Sequence, residues 1–238
     1  MGFTPHFTIE PLKEPRGFIK CLQIFFAIIA FSIVVNYDGS FSIKASCKDG
    51  GGPTEVNFPL HYPFQFDHLS FAAKCRNTYL DAHMSGNFAS DAKFFVFTGV
   101  LSMLLAAGVL VAYLLFDHVY QENRKLVIAD FVLAVILAAF WLAGSSAWAN
   151  GLSGISSVAD PTEYIGTRNG NEFCSTAVVE SCTPGKEASF SSLTVSVLIG
   201  FINFILWSGN LWFLYKETPW FKPVADPKGP PSQQDQIS

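Results

Sequence analysis

The sequence predicts an all-α membrane protein, a bundle of four transmembrane helices with a small cap that contains β-strands. Of its 238 residues, 50% are hydrophobic and only 14% are charged, against roughly 25% charged in an average soluble domain. Four apolar stretches are each long enough to cross about 30 Å of hydrocarbon as a helix. They cover residues 18–35, 94–116, 126–149 and 193–215. This pattern argues against a soluble enzyme.

The first apolar stretch is predicted to be a retained helix rather than a cleaved signal peptide. Glu10 and Glu14 precede it, where a signal peptide carries basic residues, and no Ala-x-Ala pattern follows it. With an even number of spans, the N-terminal segment 1–17 and the tail 216–238 lie on one side of the membrane. The tail holds prolines and no apolar periodicity, which predicts a short, disordered segment.

The distribution of basic residues predicts that both termini are cytosolic. Lys and Arg number seven in the 49 residues on the side of the termini, and also seven in the 101 residues of the loops 36–93 and 150–192. A higher density of Lys and Arg marks the cytoplasmic face of a membrane protein. The two long loops are therefore expected to be luminal.

Cysteine placement agrees with that orientation, because disulfides persist in oxidising compartments. Cys47 and Cys75 share the first long loop, and Cys174 and Cys182 share the second. Four cysteines allow three connectivities, of which pairing within each loop is the simplest. In the chain-entropy model, disulfides that close those two loops would stabilise the folded protein by about 3.6 and 2.5 kcal/mol. The alternative is two reduced, buried pairs.

The first loop is predicted to form a compact cap and the second to be less ordered. Residues 40–44 and 55–58 alternate polar and apolar side chains on either side of a Gly/Pro turn, which is typical of a β-hairpin. The aromatic run 62–66 could supply an apolar face beneath it. The second loop is rich in Gly, Ser and Thr, apart from its short ring between the two cysteines.

Two ionisable side chains, Lys20 and Asp130, fall inside predicted spans at similar depth near the cytosolic face. Such residues are costly in hydrocarbon and each needs an explanation. Lys20 could extend to the lipid headgroups while Asp130 caps an early turn of its helix. The alternatives are an ion pair between the two helices and a proton or ion site.

The last span carries a stripe of small and polar residues on one helical face. Its members are Gly200, Asn203, Trp207 and Asn210, at spacings that place them together on a helix. Amide side chains form hydrogen bonds across helices in lipid, and small residues permit close approach. The stripe therefore predicts either packing inside the bundle or contact with a partner transmembrane helix.

Motifs that carry catalysis are missing from the sequence. The five histidines show no His-x-x-x-His pair, the cysteines lack zinc spacing, and the Gly triplet at 50–52 is not followed by the Lys-Ser/Thr of a phosphate loop. We therefore expect no enzymatic activity, no metal and no cofactor. The net charge of -4 with no basic stripe argues against a nucleic-acid partner.

One weak lipid motif occurs at the cytosolic end of the second span. Leu115, Tyr120 and Arg124 satisfy the Leu/Val-x-Tyr-x-Lys/Arg pattern proposed for cholesterol. They are candidate cholesterol contacts, and the alternative is interfacial anchoring by Tyr120 and Arg124.

Several segments resemble the synaptophysin family of vesicle proteins, over about residues 14–220. They read EPRGFIK at 14–20, YPF at 62–64, GSSAWANGL at 144–152, ADP at 159–161, WSGNLWF at 207–213 and KET at 216–218. The resemblance implies a four-helix MARVEL membrane domain with cytosolic termini and a disulfide within each luminal loop. Those disulfides would join Cys47 to Cys75 and Cys174 to Cys182.

The resemblance also implies a function. Members of that family are non-enzymatic proteins of synaptic or secretory vesicles that take part in exocytosis, associate with the vesicle SNARE synaptobrevin, bind cholesterol and form homo-oligomers. This chain departs from the pattern in having no Asn-x-Ser/Thr sequon and no tyrosine after Tyr215. A luminal N-glycan and regulation through tail tyrosines are therefore not carried over, and the short tail favours a pantophysin-like, mitsugumin-like or invertebrate member.

Two other classes of function stay open at the level of sequence. An oligomeric channel or transporter of vesicle membranes would need a hydrated route, and Lys20 and Asp130 are the ionisable groups within the spans. A junctional barrier protein is the other, because occludin-like proteins share the four-span plan.

Overall fold

The computed structural model describes residues 12, 14–48, 52–67, 70–75, 78–122 and 124–217. Most of the predicted N-terminal segment 1–17 and of the predicted tail 216–238 lies outside these residues. Along the chain the elements are α1 (Pro15–Val35), β1 (Asp38–Cys47), β2 (Thr54–His61), β3 (Ser70–Cys75), β4 (Thr78–His83), α2 (Ala89–Glu122), α3 (Arg124–Val158), α4 (Pro161–Gly166), α5 (Arg168–Cys174), β5 (Val179–Pro184) and α6 (Ser191–Glu217).

Four of these helices, α1, α2, α3 and α6, are long and apolar enough to cross a membrane. They form a ring in which each helix packs against the next, and α6 closes the ring against α1. Consequently α1 and α3 face each other across one diagonal of the bundle, and α2 and α6 across the other. The predicted four-helix membrane bundle with a cap is confirmed.

The membrane helices extend beyond the predicted apolar spans. The helix α3 has 35 residues, which corresponds to about 52 Å at 1.5 Å per residue, more than the ~30 Å of hydrocarbon. Its last turns, through Val158, belong to the cap side of the molecule. Hydropathy marks only the part of a helix that lies in lipid, so the boundaries differ.

The cap is built around a three-stranded antiparallel sheet with strand order β2-β1-β5. The hairpin β1–β2 follows the predicted alternation, and Phe41 lies opposite Phe58 in its register. The strands β3 and β4 form a second hairpin. Since β5 comes from the second loop and pairs with β1, the two loops form one structure.

An aromatic core fills the cap and joins it to the bundle. The rings of Phe41 and Phe58 stack at 4.7 Å between centroids, and Tyr164 of α4 lies 4.9 Å from Phe58. Below them, Phe64 packs 5.4 Å from Trp148 of α3. Phe64 and Trp148 are fully buried, so the cap and the membrane bundle share a continuous apolar core.

The expectation that the second loop is less ordered was wrong. Asp160 accepts hydrogen bonds from the backbone N–H groups of Thr162 and Glu163 and so caps α4, and Thr167 caps α5 through the N–H of Gly170. Asp-Pro and Thr are common helix N-terminal signals. These helix-capping signals were present in the sequence of the second loop, although its high content of Gly, Ser and Thr favoured the prediction of an irregular loop.

Candidate functional site

The most unusual group in the bundle is a buried ion pair between α1 and α3. Lys20 Nζ lies 3.2 Å from Asp130 Oδ1, with the two side chains 0% and 5% exposed. The pair joins helices that face each other across the bundle diagonal. The interpretation that Lys20 extends to the lipid headgroups and Asp130 caps its own helix is therefore wrong. Packing of the neighbouring helices encloses both side chains.

The other two membrane helices also contribute to this cluster. Tyr113 of α2 donates a hydrogen bond from its hydroxyl to Asp130 Oδ2 at 2.7 Å. The indole of Trp207 on α6 lies with its centroid 5.0 Å from Lys20 Nζ, a cation–π distance. We call Lys20, Tyr113, Asp130 and Trp207 the ion-pair cluster. Each of the four membrane helices supplies one of its members.

The ion-pair cluster has the properties of an element that fixes how helices pack. A buried ion pair contributes little net stability, because desolvation offsets most of the Coulomb attraction. A wrong arrangement of the helices, however, would leave Lys20 or Asp130 charged and unpaired in hydrocarbon, which is costly.

Within the described residues, no group of three or more His, Cys, Asp or Glu side chains could hold a metal ion.

The stripe on α6 faces the interior of the bundle. Asn203 and Asn210 are 0% exposed and Trp207 is 1% exposed. A Cβ atom added at Gly200 would clash with Ser145 Oγ and would lie 2.7 Å from Phe95 Cε2. Gly200 thus allows α3 and α2 to approach α6 closely. The alternative that this stripe contacts a partner helix is wrong, because its own bundle already covers it.

The predicted cholesterol motif is only partly described. Leu115 is half-buried near the end of α2. Tyr120 and Arg124 lie in α2 and α3, but their side chains are outside the described part of the structure. The motif therefore stays a prediction.

Two disulfides hold the cap together. Cys47 at the end of β1 is bonded to Cys75 at the end of β3, and Cys174 of α5 is bonded to Cys182 of β5. The first links the three-stranded sheet to the second hairpin. The second links α5 to the strand that completes the sheet.

Two tyrosines tie the two loops of the cap to each other. Tyr37 donates a hydrogen bond to the carbonyl of Ser189, and Tyr164 donates one to the carbonyl of His83. Burial raises the pKa of Tyr164 to about 12. Burial, together with the charge of Asp38, also raises the pKa of Tyr37. Each hydroxyl therefore stays protonated, and keeps its hydrogen bond, to a higher pH than an ordinary tyrosine would.

The bundle geometry agrees with a comparison against protein families. The model of the MARVEL family, described as a membrane-associating domain, matches residues 11–213. The chain belongs to the MARVEL family. The match includes all four membrane helices and both loops of the cap, so the MARVEL domain accounts for nearly all of the described structure.

Some members of the site could not be found from the sequence of this MARVEL protein. Nothing in the sequence around Tyr113 distinguishes it from any tyrosine within an apolar span. Only its proximity to Asp130 in the fold makes it part of the ion-pair cluster. Gln23, one turn after Lys20, donates a hydrogen bond to the carbonyl of Leu206 at 3.4 Å. A glutamine inside a predicted span is a signal that could have been used, because polar residues are rare there.

Proposed function

We propose that this MARVEL protein belongs to the synaptophysin subfamily and organises the membrane of synaptic-like or secretory vesicles without enzymatic activity. The observation that carries the proposal is the joint cap, in which strands from both loops form one disulfide-linked sheet. Such a cap suits an oxidising vesicle lumen. The sequence segments shared with the synaptophysin family, such as those at 144–152 and 207–213, support the subfamily assignment.

The outer surface of the bundle suits lipid and transmembrane partners. Its exposed large side chains are apolar on every membrane helix, including Phe18 and Phe25 on α1, Phe97 and Leu104 on α2, Val132 and Ile136 on α3, and Leu198 and Ile205 on α6. Because the polar stripe on α6 is internal, a synaptobrevin-like SNARE, cholesterol or a second copy of the chain would bind through these apolar faces. The cholesterol motif adds one candidate contact at Leu115.

The proposed lack of enzymatic activity is supported by the way in which the described polar groups are used. Lys20 and Asp130 are buried among the four membrane helices and form an ion pair with each other. In the described cap, Asp160 and Thr167 are helix caps. These roles are structural.

The test is localisation in a secretory cell. A fluorescent protein fused to the chain should coincide with synaptobrevin-positive vesicles, and synaptobrevin should co-purify in mild detergent. A variant in which outward-facing Ile205 and Leu198 are replaced by Ala leaves the core intact. If α6 carries the contact, this variant should co-purify less synaptobrevin than the unchanged protein does. Accumulation at cell–cell contacts would favour a junctional barrier protein and contradict the proposal.

An oligomeric channel or transporter is a second candidate, and the buried ion-pair cluster is the observation that favours it. Intramembrane ionisable residues often mark ion or proton routes. Proton or ion flux in proteoliposomes would test this function, with the Asp130→Asn variant as the comparison. Equal flux through both proteins and through empty liposomes would reject it.

A further inference from the structure

The two disulfides of the cap differ in how well the fold covers them. Cys47 and Cys75 are only 7% and 4% exposed and belong to the continuous apolar core. Cys174 and Cys182 are half-buried and pack against that core without belonging to it. A thiol exchanges with a disulfide by direct attack on one of its sulfur atoms, so access controls the rate. The disulfide between Cys174 and Cys182 is therefore the more accessible of the two.

The segment between Cys174 and Cys182 gives this disulfide little cover. Its exposed side chains belong to Ser175, Ala177, Glu180 and Ser181. Three of these four side chains are small, so they shield a neighbouring sulfur atom from solvent less than a long side chain would. A thiol in solution therefore meets little obstruction on this side of the cap.

The fold also holds both cysteines of this disulfide in place through contacts other than the S–S bond. Cys174 ends α5, next to Phe173, which is 4% exposed. Cys182 lies opposite Ala45 in the antiparallel pairing of β1 with β5, and Val179 at the start of β5 is 2% exposed. Breaking the bond therefore leaves the two thiols beside each other, which allows the same bond to form again.

The disulfide between Cys47 and Cys75 lies in a different setting. It joins β1 to β3, which belong to separate sheets. Thr54 bridges the same junction, because its Oγ1 atom lies 3.8 Å from Cys47 Sγ and donates a hydrogen bond to the carbonyl of Lys74 at 3.0 Å. A thiol reaches this buried bond only after the junction has opened. Local opening costs free energy, so reactions that require it are slowed.

We propose that Cys174–Cys182 is a thiol–disulfide exchange site for an external dithiol, whereas Cys47–Cys75 is structural. A thiolate of the dithiol attacks one protein sulfur atom, the S–S bond breaks, and the other cysteine leaves as a thiolate. The second thiol of the dithiol then attacks the mixed disulfide and releases the first cysteine. The protein disulfide gains two electrons, the dithiol is oxidised to a disulfide, and its two protons pass to the cysteines. The cap thus responds to the redox conditions on its side of the membrane through one of its two bonds.

Timed reduction of the full chain in mild detergent tests the proposal. Dithiothreitol is the probe, free thiols are alkylated at intervals, and peptide mapping assigns each bond. Cys174–Cys182 should be reduced at least about tenfold faster than Cys47–Cys75, which corresponds to an opening free energy of only about 1.4 kcal/mol for the buried bond. A smaller ratio, or faster reduction of Cys47–Cys75, would overturn the proposal.

Urea at concentrations below the unfolding transition separates direct attack from attack that requires opening. Opening of the cap exposes surface, so urea should speed the reduction of Cys47–Cys75. Reduction of Cys174–Cys182 should keep its rate, because the thiol reaches that bond in the folded cap. An equal acceleration of both reactions would show that both bonds wait for the cap to open, which would contradict the proposal.

Reversal of the reaction provides a further test. After dithiothreitol is removed, oxidised glutathione should restore the Cys174–Cys182 pair, and the backbone amides of β1 and β2 should stay protected from hydrogen exchange throughout. Loss of that protection, or recovery of these cysteines in other pairs, would show that the bond is structural. Cys174→Ser/Cys182→Ser is the matched variant. Its Cys47–Cys75 bond should be reduced as slowly as in the unchanged protein, and faster reduction would also show a structural role.

Discussion

Lys20 and Asp130 are 110 residues apart in sequence, yet their side chains form an ion pair across the diagonal of the bundle. Tyr113 and Trp207 complete the cluster from the two remaining helices. A contact of this kind reports on the arrangement of all four helices at once. Its removal should therefore affect the whole bundle and not a single helix.

Removing one partner of the ion pair should be more harmful than removing both. Lys20→Met or Asp130→Leu leaves a buried, unpaired charge and should cost about 3–5 kcal/mol in the free energy of unfolding. The double variant removes both charges and should recover most of that loss. Thermal unfolding in detergent measures the difference.

A matched control for the ion pair is Lys216→Met. Lys216 lies 5.2 Å from the ring of Trp212, but its side chain is exposed, so we expect a change within about 0.5 kcal/mol. Equal stability of the Lys20→Met variant and the Lys216→Met variant would contradict the role assigned to the ion pair.

Gly200 should tolerate no larger side chain. In Gly200→Ala, the new Cβ meets Ser145 Oγ and the ring of Phe95. Phe95 is fully buried and cannot move aside, so overpacking should cost about 1–3 kcal/mol. Gly108→Ala in α2 is the matched control, because nothing lies within 4 Å of its added Cβ, and there we expect no loss. Thermal unfolding of both variants checks this, and equal melting temperatures would exclude close packing at Gly200.

The two disulfides should differ in their contribution to stability. Their cysteines are separated by 28 residues in the first loop and by 8 in the second, and the longer loop gains more from closure in the chain-entropy model. Cys47→Ser/Cys75→Ser should therefore lower the melting temperature more than Cys174→Ser/Cys182→Ser. Peptide mapping without reductant checks the connectivity, and a peptide linking Cys47 to Cys174 would contradict it.

The cap should lose stability at alkaline pH because of Tyr164. Its pKa rises from 10.0, the value expected in the unfolded chain, to about 12 in the fold. The stabilisation of the protonated form is complete below pH 10 and is lost as the pH rises from 10 toward 12, because the unfolded chain releases its proton first. Unfolding between pH 9 and 12 measures this loss. In Tyr164→Phe, which cannot ionise, the free energy of unfolding should fall less steeply with pH. An unchanged pH dependence would rule Tyr164 out as the cause.

The orientation of the chain can be tested by engineered glycosylation. Gly52→Asn with Pro53→Ala creates a sequon with the native Thr54 at an exposed turn where an added side chain meets no neighbour within 4 Å. Gln233→Asn with Asp235→Thr creates one in the tail. In sealed microsomes the first should acquire a glycan and the second should not. The opposite pattern would reverse the predicted orientation.

Hydropathy and local signals were sufficient to predict much of the fold. Each membrane helix follows from an apolar run of adequate length, and the β1–β2 hairpin follows from alternation around a Gly/Pro turn. Both are local properties, since a helix rises 1.5 Å and a strand about 3.3 Å per residue whatever surrounds them. Pairing of cysteines within a loop is similarly favoured by short separation.

Only the tertiary structure decided which of these elements meet. The sequence placed Lys20 and Asp130 at similar depth, but their pairing depends on α1 and α3 lying across the bundle diagonal. The same packing turns the stripe of Asn203 and Asn210 inward, although its periodicity suits an outer face equally well. The strand β5 joins the sheet because β1 offers it an unpaired edge, and no local pattern encodes that edge. Contacts between distant segments depend on how whole surfaces fit together. The membrane spans can therefore be predicted from a single sequence more directly than the packing of one span against another.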